Sequence, residues 1–250
     1  MSGNQPPLFL YVRAKIINDT IYLLYMNKEV PIYEIKEDLA LRYASTADEI
    51  RRNLKEKKTY LLNVMSSPGS GKTTLLCSLI NKLKDEFKIA VIETDIDGRE
   101  DAQKIFDKTG VKTIQIHTGG ACHLTSQMSS DALKIIESEH FDLIIIENIG
   151  NLVCPAEFDV GAHKNMVLLS VPEGSDKPLK YPLMFQVANL VVISKIDTIP
   201  VFDFDINEAK KNILFRNPNV DIFEVSSKKE AGIVELCAYL RKEIKEFLDE

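Results

Sequence analysis

Residues 60–79 read YLLNVMSSPGSGKTTLLCSL, and the order of the segments in this stretch decides the fold. Residues 60–65 are a short apolar run, which is typical of a buried strand. Residues 66–73 form a glycine-containing turn, and residues 74–87 carry leucine and isoleucine at helical spacing. A strand, a turn and a helix in direct succession predict the first unit of a parallel α/β sheet.

The same alternation continues to the end of the chain. Further buried-strand candidates are residues 89–94, 113–117, 143–147, 166–171, 190–194 and 222–225. Amphipathic stretches separate most of them, and a final helix is predicted at about residues 232–248. Short apolar strands between amphipathic helices favour a mostly parallel sheet with helices on both faces, which is the fold class of P-loop NTPases.

The first 45 residues have a different character. Residues 8–33 alternate β-branched and aromatic residues around Asn18 and Asp19, which predicts a small hairpin or pair of strands. Charged residues interleave with apolar ones over residues 35–58, which predicts helical segments with a break near Ser45 and Thr46. We therefore divide the chain into a small N-terminal extension, residues 1–45, and a P-loop domain, residues 46–250.

Composition narrows the class of protein. A chain of 250 residues with 45% hydrophobic content can bury one sizeable core. The net charge of −6 gives no reason to expect nucleic acid or an anionic membrane as a partner. No run approaches the roughly 18 apolar residues of a membrane span, and the start MSGNQPP lacks the features of a signal peptide. We expect a cytoplasmic protein.

The glycine turn fits the phosphate-binding pattern GxxxxGK[ST], except that Ser66 stands where the first glycine is usual. Backbone N–H groups of such a loop surround a phosphate, the amine of Lys72 reaches its oxygens, and the hydroxyl of Thr73 ligates Mg²⁺. A chance Gly-Ser turn is the alternative, and the flanking strand and helix argue against it. The predicted nucleotide-binding residues here are Pro68, Gly69, Ser70, Gly71, Lys72, Thr73 and Thr74.

Acidic side chains follow two of the predicted strands. Asp95 and Glu147 stand at strand ends, where a nucleotidase needs carboxylates to hold Mg²⁺ and to orient the attacking water. We predict Lys72, Asp95 and Glu147 as catalytic, with Asp95 as a Mg²⁺ ligand beside Thr73. Gly150 then forms a hinge that senses the terminal phosphate. A helix cap or a solvated strand end remains the alternative for each carboxylate.

The segment Ser194-Lys195-Ile196-Asp197 comes directly after a predicted strand. A carboxylate at Asp197 can accept both N1–H and the 2-amino hydrogens of guanine, while the stem of Lys195 packs along the base. The usual tetrad begins with Asn, so Ser194 is expected to weaken the anchoring of this loop. Ser227, after the last strand, is placed to back the base, although an ordinary turn explains it equally well.

Four cysteines are scattered without a close pair: Cys77, Cys122, Cys154 and Cys237. Cys122 adjoins His123, and thiolate with imidazole suits Zn²⁺ or Ni²⁺. Two ligands are too few for a closed site, so Cys154 or a second subunit would have to complete it. From residue chemistry alone, a Cys-His neighbour pair is more often packing than a metal site.

Five segments together resemble the HypB family of hydrogenase nickel-incorporation GTPases: SSPGSGKTTLL, TGGACHL, ENIGNLVCPAEFDVG, LLSVPEGSDKPLKYP and SKIDTIP. The resemblance covers about residues 60–248. It implies a SIMIBI-type G domain that binds GTP or GDP and Mg²⁺ and hydrolyses GTP. It also implies that Cys122, His123 and Cys154 bind Ni²⁺ or Zn²⁺ at the interface of a GTP-promoted homodimer. The partners it implies are a HypA-like nickel chaperone and the hydrogenase large-subunit precursor.

The sequence departs from the family pattern at several positions. Thr94-Asp95 stands for Gly-Asp, and Thr125 replaces an aspartate after the Cys-His pair, which changes the expected metal environment. An N-terminal cysteine cluster and a histidine-rich tract, present in some relatives, are missing. Related alternatives are a UreG-like or cobalamin-chaperone GTPase. A nucleotide-regulated binding module with negligible hydrolysis is an alternative of another class.

Overall fold

A computed structural model describes the backbone of residues 10–17, 20–27, 30–34 and 43–250, and the side chains from residue 45 onwards. The strands are β1 Leu10–Ile17, β2 Thr20–Asn27, β3 Val30–Glu34, β4 Tyr60–Ser66, β5 Ile89–Asp95, β6 Lys112–His117, β7 Leu143–Glu147, β8 Lys164–Ser170, β9 Leu190–Ser194 and β10 Asp221–Val225. The helices are α1 Tyr43–Glu56, α2 Lys72–Leu83, α3 Glu100–Thr109, α4 Ser126–Ile136, α5 Cys154–Glu157, α6 Lys177–Lys180, α7 Pro182–Gln186, α8 Ile206–Arg216 and α9 Ile233–Asp249.

All ten strands belong to one sheet, in the order β1-β2-β3-β6-β5-β7-β4-β8-β9-β10. The seven strands from β4 to β10 pair in parallel, whereas β1, β2 and β3 pair antiparallel with one another. Strand β3 joins β6 in parallel, so the N-terminal strands extend the same sheet. The carboxyl ends of the parallel strands therefore meet at one edge, where ligands of open α/β sheets bind.

Alternate residues of β4 show why helices cover both faces of the sheet. Leu62 and Val64 pack with buried residues of α2 and α9 on one face. Leu61 packs with α1 and α4, and Met65 packs with α7 and α8, on the other face. A parallel sheet that is buried on both sides needs this nearly continuous apolar sequence. Within the described ranges, no helix is long and apolar enough to cross a membrane.

The predicted fold class is confirmed, and every predicted strand after residue 60 forms within two residues of its expected bounds. The helix after the glycine turn begins at Lys72 rather than residue 74, because Gly71 is its N-cap. The predicted break near Ser45 and Thr46 is wrong, since α1 runs through both residues. Three strands stand where a hairpin or pair was expected, while residues 8, 9, 28, 29 and 35–42, and the predicted turn at Asn18 and Asp19, lie outside the described residues.

Three asparagine side chains cross the face of the sheet that α1, α4, α7 and α8 cover. The amide of Asn148, just after β7, donates to Asn63 Oδ1 at 3.1 Å. The amide of Asn63 in turn donates to Asn165 Oδ1 at 2.9 Å. Buried amides are stable when their hydrogen bonds are satisfied. This ladder therefore fixes the chain after β7 to the centre of the sheet.

His163 packs between α9 and the first residues of β4. Its Nδ1 accepts the N–H of Leu61 at 2.9 Å, and its ring lies 4.3 Å from that of Phe247. Burial, and then the positive charge of Arg51, lower the pKa of His163 from its ordinary value near 6.5 to about 4. The neutral imidazole is therefore the form that the fold stabilises.

We expect the replacement His163→Asn to remove a pH-dependent contribution to the free energy of unfolding. Below about pH 6.5 the unfolded chain protonates His163 while the folded chain does not, so this contribution falls as the pH falls toward 4. The difference in free energy of unfolding between parent and variant should shrink by at most about 1.4 kcal/mol per pH unit. Urea denaturation at pH 7 and pH 5 measures it.

His140→Asn is the matched control for the loss of a histidine, because His140 is exposed and lies 3.4 Å from Asp142. A parent-minus-variant difference for His163→Asn that is the same at both pH values would contradict the assignment.

Candidate nucleotide and metal site

The phosphate-binding turn joins β4 to α2 at the carboxyl edge of the sheet. Gly69 and Gly71 have φ angles of 73° and 101°, a region of backbone conformation that glycine adopts without strain. The ammonium of Lys72 lies 3.1 Å from Ser66 Oγ, and the Ser70 hydroxyl donates to the same oxygen at 2.5 Å. Ser66 therefore supplies a polar contact inside the loop that the usual glycine could not.

Glu147 meets the start of α2. The hydroxyl of Thr73 donates to Glu147 Oε1 at 2.7 Å, and Glu147 Oε2 is buried without a hydrogen-bond partner. Burial raises the pKa of Glu147 to about 7, while the charge of Lys72 and the Thr73 hydrogen bond oppose the shift. The structure thus brings together three of the predicted residues, Lys72, Thr73 and Glu147.

Asp95 ends β5, at the same edge of the sheet. Its Oδ1 accepts the N–H groups of Asp97 and Gly98 at 3.0 and 2.6 Å, so this oxygen organises its own loop. His117 Nε2 lies 2.9 Å from the carbonyl oxygen of Gly98 and ties the loop to β6. Asp95 therefore lies where a metal ligand is expected, but its Oδ1 is already hydrogen-bonded to the backbone of the turn that follows it.

Glu93 is a buried acidic residue that sequence reasoning missed. It lies opposite Glu147 in the register of β5 and β7, and it is 4% exposed. Burial, and then the charge of Glu147, raise the pKa of Glu93 well above its ordinary value. The sequence feature that could have pointed to Glu93 is its position two residues before Asp95, because residues two apart in a strand lie on the same face of the sheet.

The predicted base-recognition loop is fastened to the phosphate loop. The Ser194 hydroxyl donates to the carbonyl of Ser70 at 3.0 Å, and Lys195 Nζ donates to that of Gly69 at 2.6 Å. Ser194 thus gives the loop an anchor to the phosphate loop, and the predicted weakening relative to Asn stays a prediction. Asp197 Oδ1 accepts the hydroxyl of Ser226 at 2.5 Å. Ser226 is the neighbour of Ser227, whose role in backing the base stays a prediction.

Gly150 packs directly against the phosphate loop. A Cβ atom added at Gly150 would lie 3.0 Å from Pro68 Cα and 3.1 Å from Pro68 N. A side chain at this position would therefore push Pro68 away by a few tenths of an ångström. A shift of the phosphate loop therefore reaches the segment that leads from Glu147 to Cys154.

The three predicted metal ligands lie together. Cys122 Sγ is 2.9 Å from Cys154 Sγ and 3.9 Å from His123 Nδ1, and the three donor atoms lie within 4.8 Å of one another. Two thiols and an imidazole suit Zn²⁺ or Ni²⁺, and three ligands leave a coordination position open. Thr125 is the N-cap of α4 and accepts the N–H of Met128, so it serves as a helix cap.

Comparisons with known proteins identify the family to which the chain belongs. The family described as "CobW/HypB/UreG, nucleotide-binding domain" matches residues 60–224. The hydrogenase maturation factor HypB of Rhizobium leguminosarum bv. viciae is 42% identical over 84% of this chain and 70% of that protein. The chain belongs to the HypB family.

Two solved HypB structures have the same fold. The HypB of Helicobacter pylori in complex with nickel is 43% identical, with a TM-score of 0.76 over 81% of this chain and 94% of that one. The HypB of Archaeoglobus fulgidus is 34% identical, with a TM-score of 0.75 over 80% and 97%. This HypB-family chain therefore carries a nucleotide-binding P-loop domain.

We expect Gly150→Ala to lower nucleotide affinity at least tenfold, because the added Cβ would displace Pro68 from the phosphate loop. Titration with a fluorescent guanine nucleotide measures the change.

Gly110→Ala is the matched control. Gly110 has a φ of 71° at the end of α3, and nothing lies within 4 Å of an added Cβ. It should destabilise the fold by about 1–2 kcal/mol and leave nucleotide affinity unchanged. Equal affinities for parent and Gly150→Ala would show that the contact with Pro68 is dispensable.

Proposed function

We propose that this protein is a cytoplasmic GTPase that hydrolyses GTP to GDP and phosphate and couples the cycle to nickel delivery during [NiFe]-hydrogenase maturation. The observation that carries the proposal is the single short segment from Glu147 through Gly150 to Cys154. It contacts Thr73 at one end, Pro68 in the middle and Cys122 at the other end. A nucleotide state read at the first two contacts is thereby passed to a metal ligand.

The residues around Thr73 fit a Mg²⁺ ion. Hydroxyl and carboxylate oxygens are the ligands that Mg²⁺ prefers, and the buried Oε2 of Glu147 has no hydrogen-bond partner among the described residues. Thr73 and Asp95 would hold the ion, which neutralises phosphate charge when bound. Lys72 binds the phosphate oxygens. Glu147, with its pKa of about 7, is suited to orient water and accept its proton near neutral pH.

Asp197 selects guanine in this proposal. Its carboxylate accepts from the base edge, the Ser226 hydroxyl orients it, and the stem of Lys195 lies along the base. Adenine lacks the two donors that the carboxylate requires, so its binding leaves a charged group unpaired.

Nickel is the cargo, and Cys122, His123 and Cys154 bind it. The open coordination position is filled by a second copy of the chain in a GTP-promoted homodimer. A HypA-like chaperone and the hydrogenase large-subunit precursor are the proposed partners. Zn²⁺ competes for the same ligands because both metals accept thiolate and imidazole.

Asp197→Ala tests the base assignment. We expect the parent to bind GTP and GDP at least tenfold more tightly than ATP, and the variant to lose this preference while still binding the triphosphate. Calorimetric titration with the three nucleotides, together with phosphate release, measures both binding and hydrolysis.

Ser138→Ala, at an exposed serine after α4, controls for the loss of a serine hydroxyl, and Ser226→Ala should lose part of the preference. Equal affinity of the parent for GTP and ATP would refute guanine selection. Tight GTP binding without phosphate release would favour a nucleotide-regulated binding module.

Cys122→Ala and Cys154→Ala test the cargo site. Each should weaken binding of Ni²⁺ about tenfold or more and lower the dimer content in GTP and nickel, since each removes one of three ligands. Nickel titration and light scattering measure the two effects.

Cys237→Ala, at a buried thiol on α9, is the control and should bind nickel like the parent. Unchanged nickel binding in both ligand variants would remove the proposed site.

A further inference from the structure

The ring of Phe158 lies flat against the imidazole of His123. The ring centroids are 3.7 Å apart and the planes differ by 13°. For comparison, the stacked pair Tyr60 and His163 has centroids 5.4 Å apart. Phe158 follows α5 by one residue and contributes no atom that could bind a metal, so its effect on the site must pass through His123.

The plane of an imidazole ring fixes the directions in which its nitrogen atoms can donate electrons to a metal. The nitrogen lone pairs of histidine lie in the ring plane, so any rotation of the ring moves the donor atom away from the metal. Phe158 covers one face of the ring. With the plane held in this way, Nδ1 lies 3.9 Å from Cys122 Sγ.

Phe158 is held in turn by the residues that follow it. Both carboxylate oxygens of Asp159 lie 2.5 Å from Arg51 Nη2, and Arg51 Nε donates to the carbonyl of Ala162 at 3.1 Å. At Gly161 an added Cβ would lie 2.7 Å from Ile50 Cβ, so this turn packs closely on α1. The segment after Cys154 is therefore clamped to α1 next to the stacked ring.

Phe158 also connects the two chain segments that carry the ligands. Cys154 begins the segment to which Phe158 belongs, whereas Cys122 and His123 precede α4. The ring stack and the close approach of the two thiols are contacts between these segments. Without the stack, His123 would lose the contact that orients its ring toward the thiols.

We propose that Phe158 is a positioning residue for the nickel site, which sets the ring plane of His123 by stacking while the Arg51–Asp159 pair holds it in place. This inference rests on the proposed nickel-binding function. Outer contacts that orient a metal ligand typically change metal affinity by about 10–100-fold.

Three substitutions separate stacking from simple apolar packing. Phe158→Tyr keeps the flat ring, Phe158→Leu keeps apolar volume without it, and Phe158→Ala removes both. We expect Phe158→Tyr to bind Ni²⁺ within about threefold of the parent, and the other two to bind about tenfold more weakly. Titration of the full chain with nickel alone, followed by the thiolate-to-nickel charge-transfer absorption, measures affinity and ligand geometry together.

His123→Ala provides the decisive background. If Phe158 acts through His123, adding Phe158→Leu to His123→Ala should change neither affinity nor spectrum further. Arg51→Lys should weaken binding about threefold, because one ammonium cannot contact Asp159, Asp48 and the Ala162 carbonyl at the same time as the three guanidinium nitrogens do. GTP affinity and thermal unfolding of each variant show whether the P-loop domain is intact.

The possible results separate a failure of the stacking role of Phe158 from a failure of the proposed nickel site. Parent-like affinity and absorption in Phe158→Leu would overturn the stacking role and leave the nickel site intact. An equal loss from Phe158→Leu with and without His123 would also overturn it, because the ring would then act through general packing. A parent chain that binds no nickel would overturn both the proposed function and this inference.

Discussion

The hydrogen bond from Thr73 to Glu147 is the contact on which the rest of the site depends. It joins the first turn of α2, which belongs to the phosphate loop, to the last residue of β7. The chain after β7 runs through Gly150 to Cys154, so the same contact also fixes the start of the segment that leads to the metal ligands. The pair is buried, and burial raises the pKa of the Glu147 carboxyl against the opposing effects of Lys72 and the Thr73 hydroxyl. Nucleotide chemistry and metal chemistry thereby share one short stretch of chain.

Much of this arrangement could be predicted from the sequence because a parallel sheet leaves a strong pattern. Its strands are buried on both faces and appear as short apolar runs, and their carboxyl ends share an edge. That geometry alone places Lys72, Glu147 and Asp197 in one region. The Cys-His pair was ambiguous in isolation, and the fold brings Cys154 to within 2.9 Å of Cys122, so that the three side chains lie together.

Contacts between residues far apart in the chain could not be predicted in the same way. Nothing local distinguishes Ser226 from Ser227, yet only the first meets Asp197. Glu93 is hidden inside an apolar strand, and the clamp from Arg51 to Asp159 spans 108 residues. The boundary at residue 45 between the N-terminal extension and the P-loop domain stays a prediction, although β3 and β6 pair within one sheet. Such details depend on register and packing, which residue patterns do not specify.

The asparagine ladder across the sheet has a mechanical meaning. Asn63 lies between Leu61 and Met65, and these two belong to separate apolar clusters on the same face. The polar seam divides that face into two blocks, one under α4 and one under α8. The loop with Cys122 enters the first block and the loop with Asp197 enters the second. Each loop can therefore adjust to its own ligand without repacking the core beneath the other, while the seam keeps the strands between them in register.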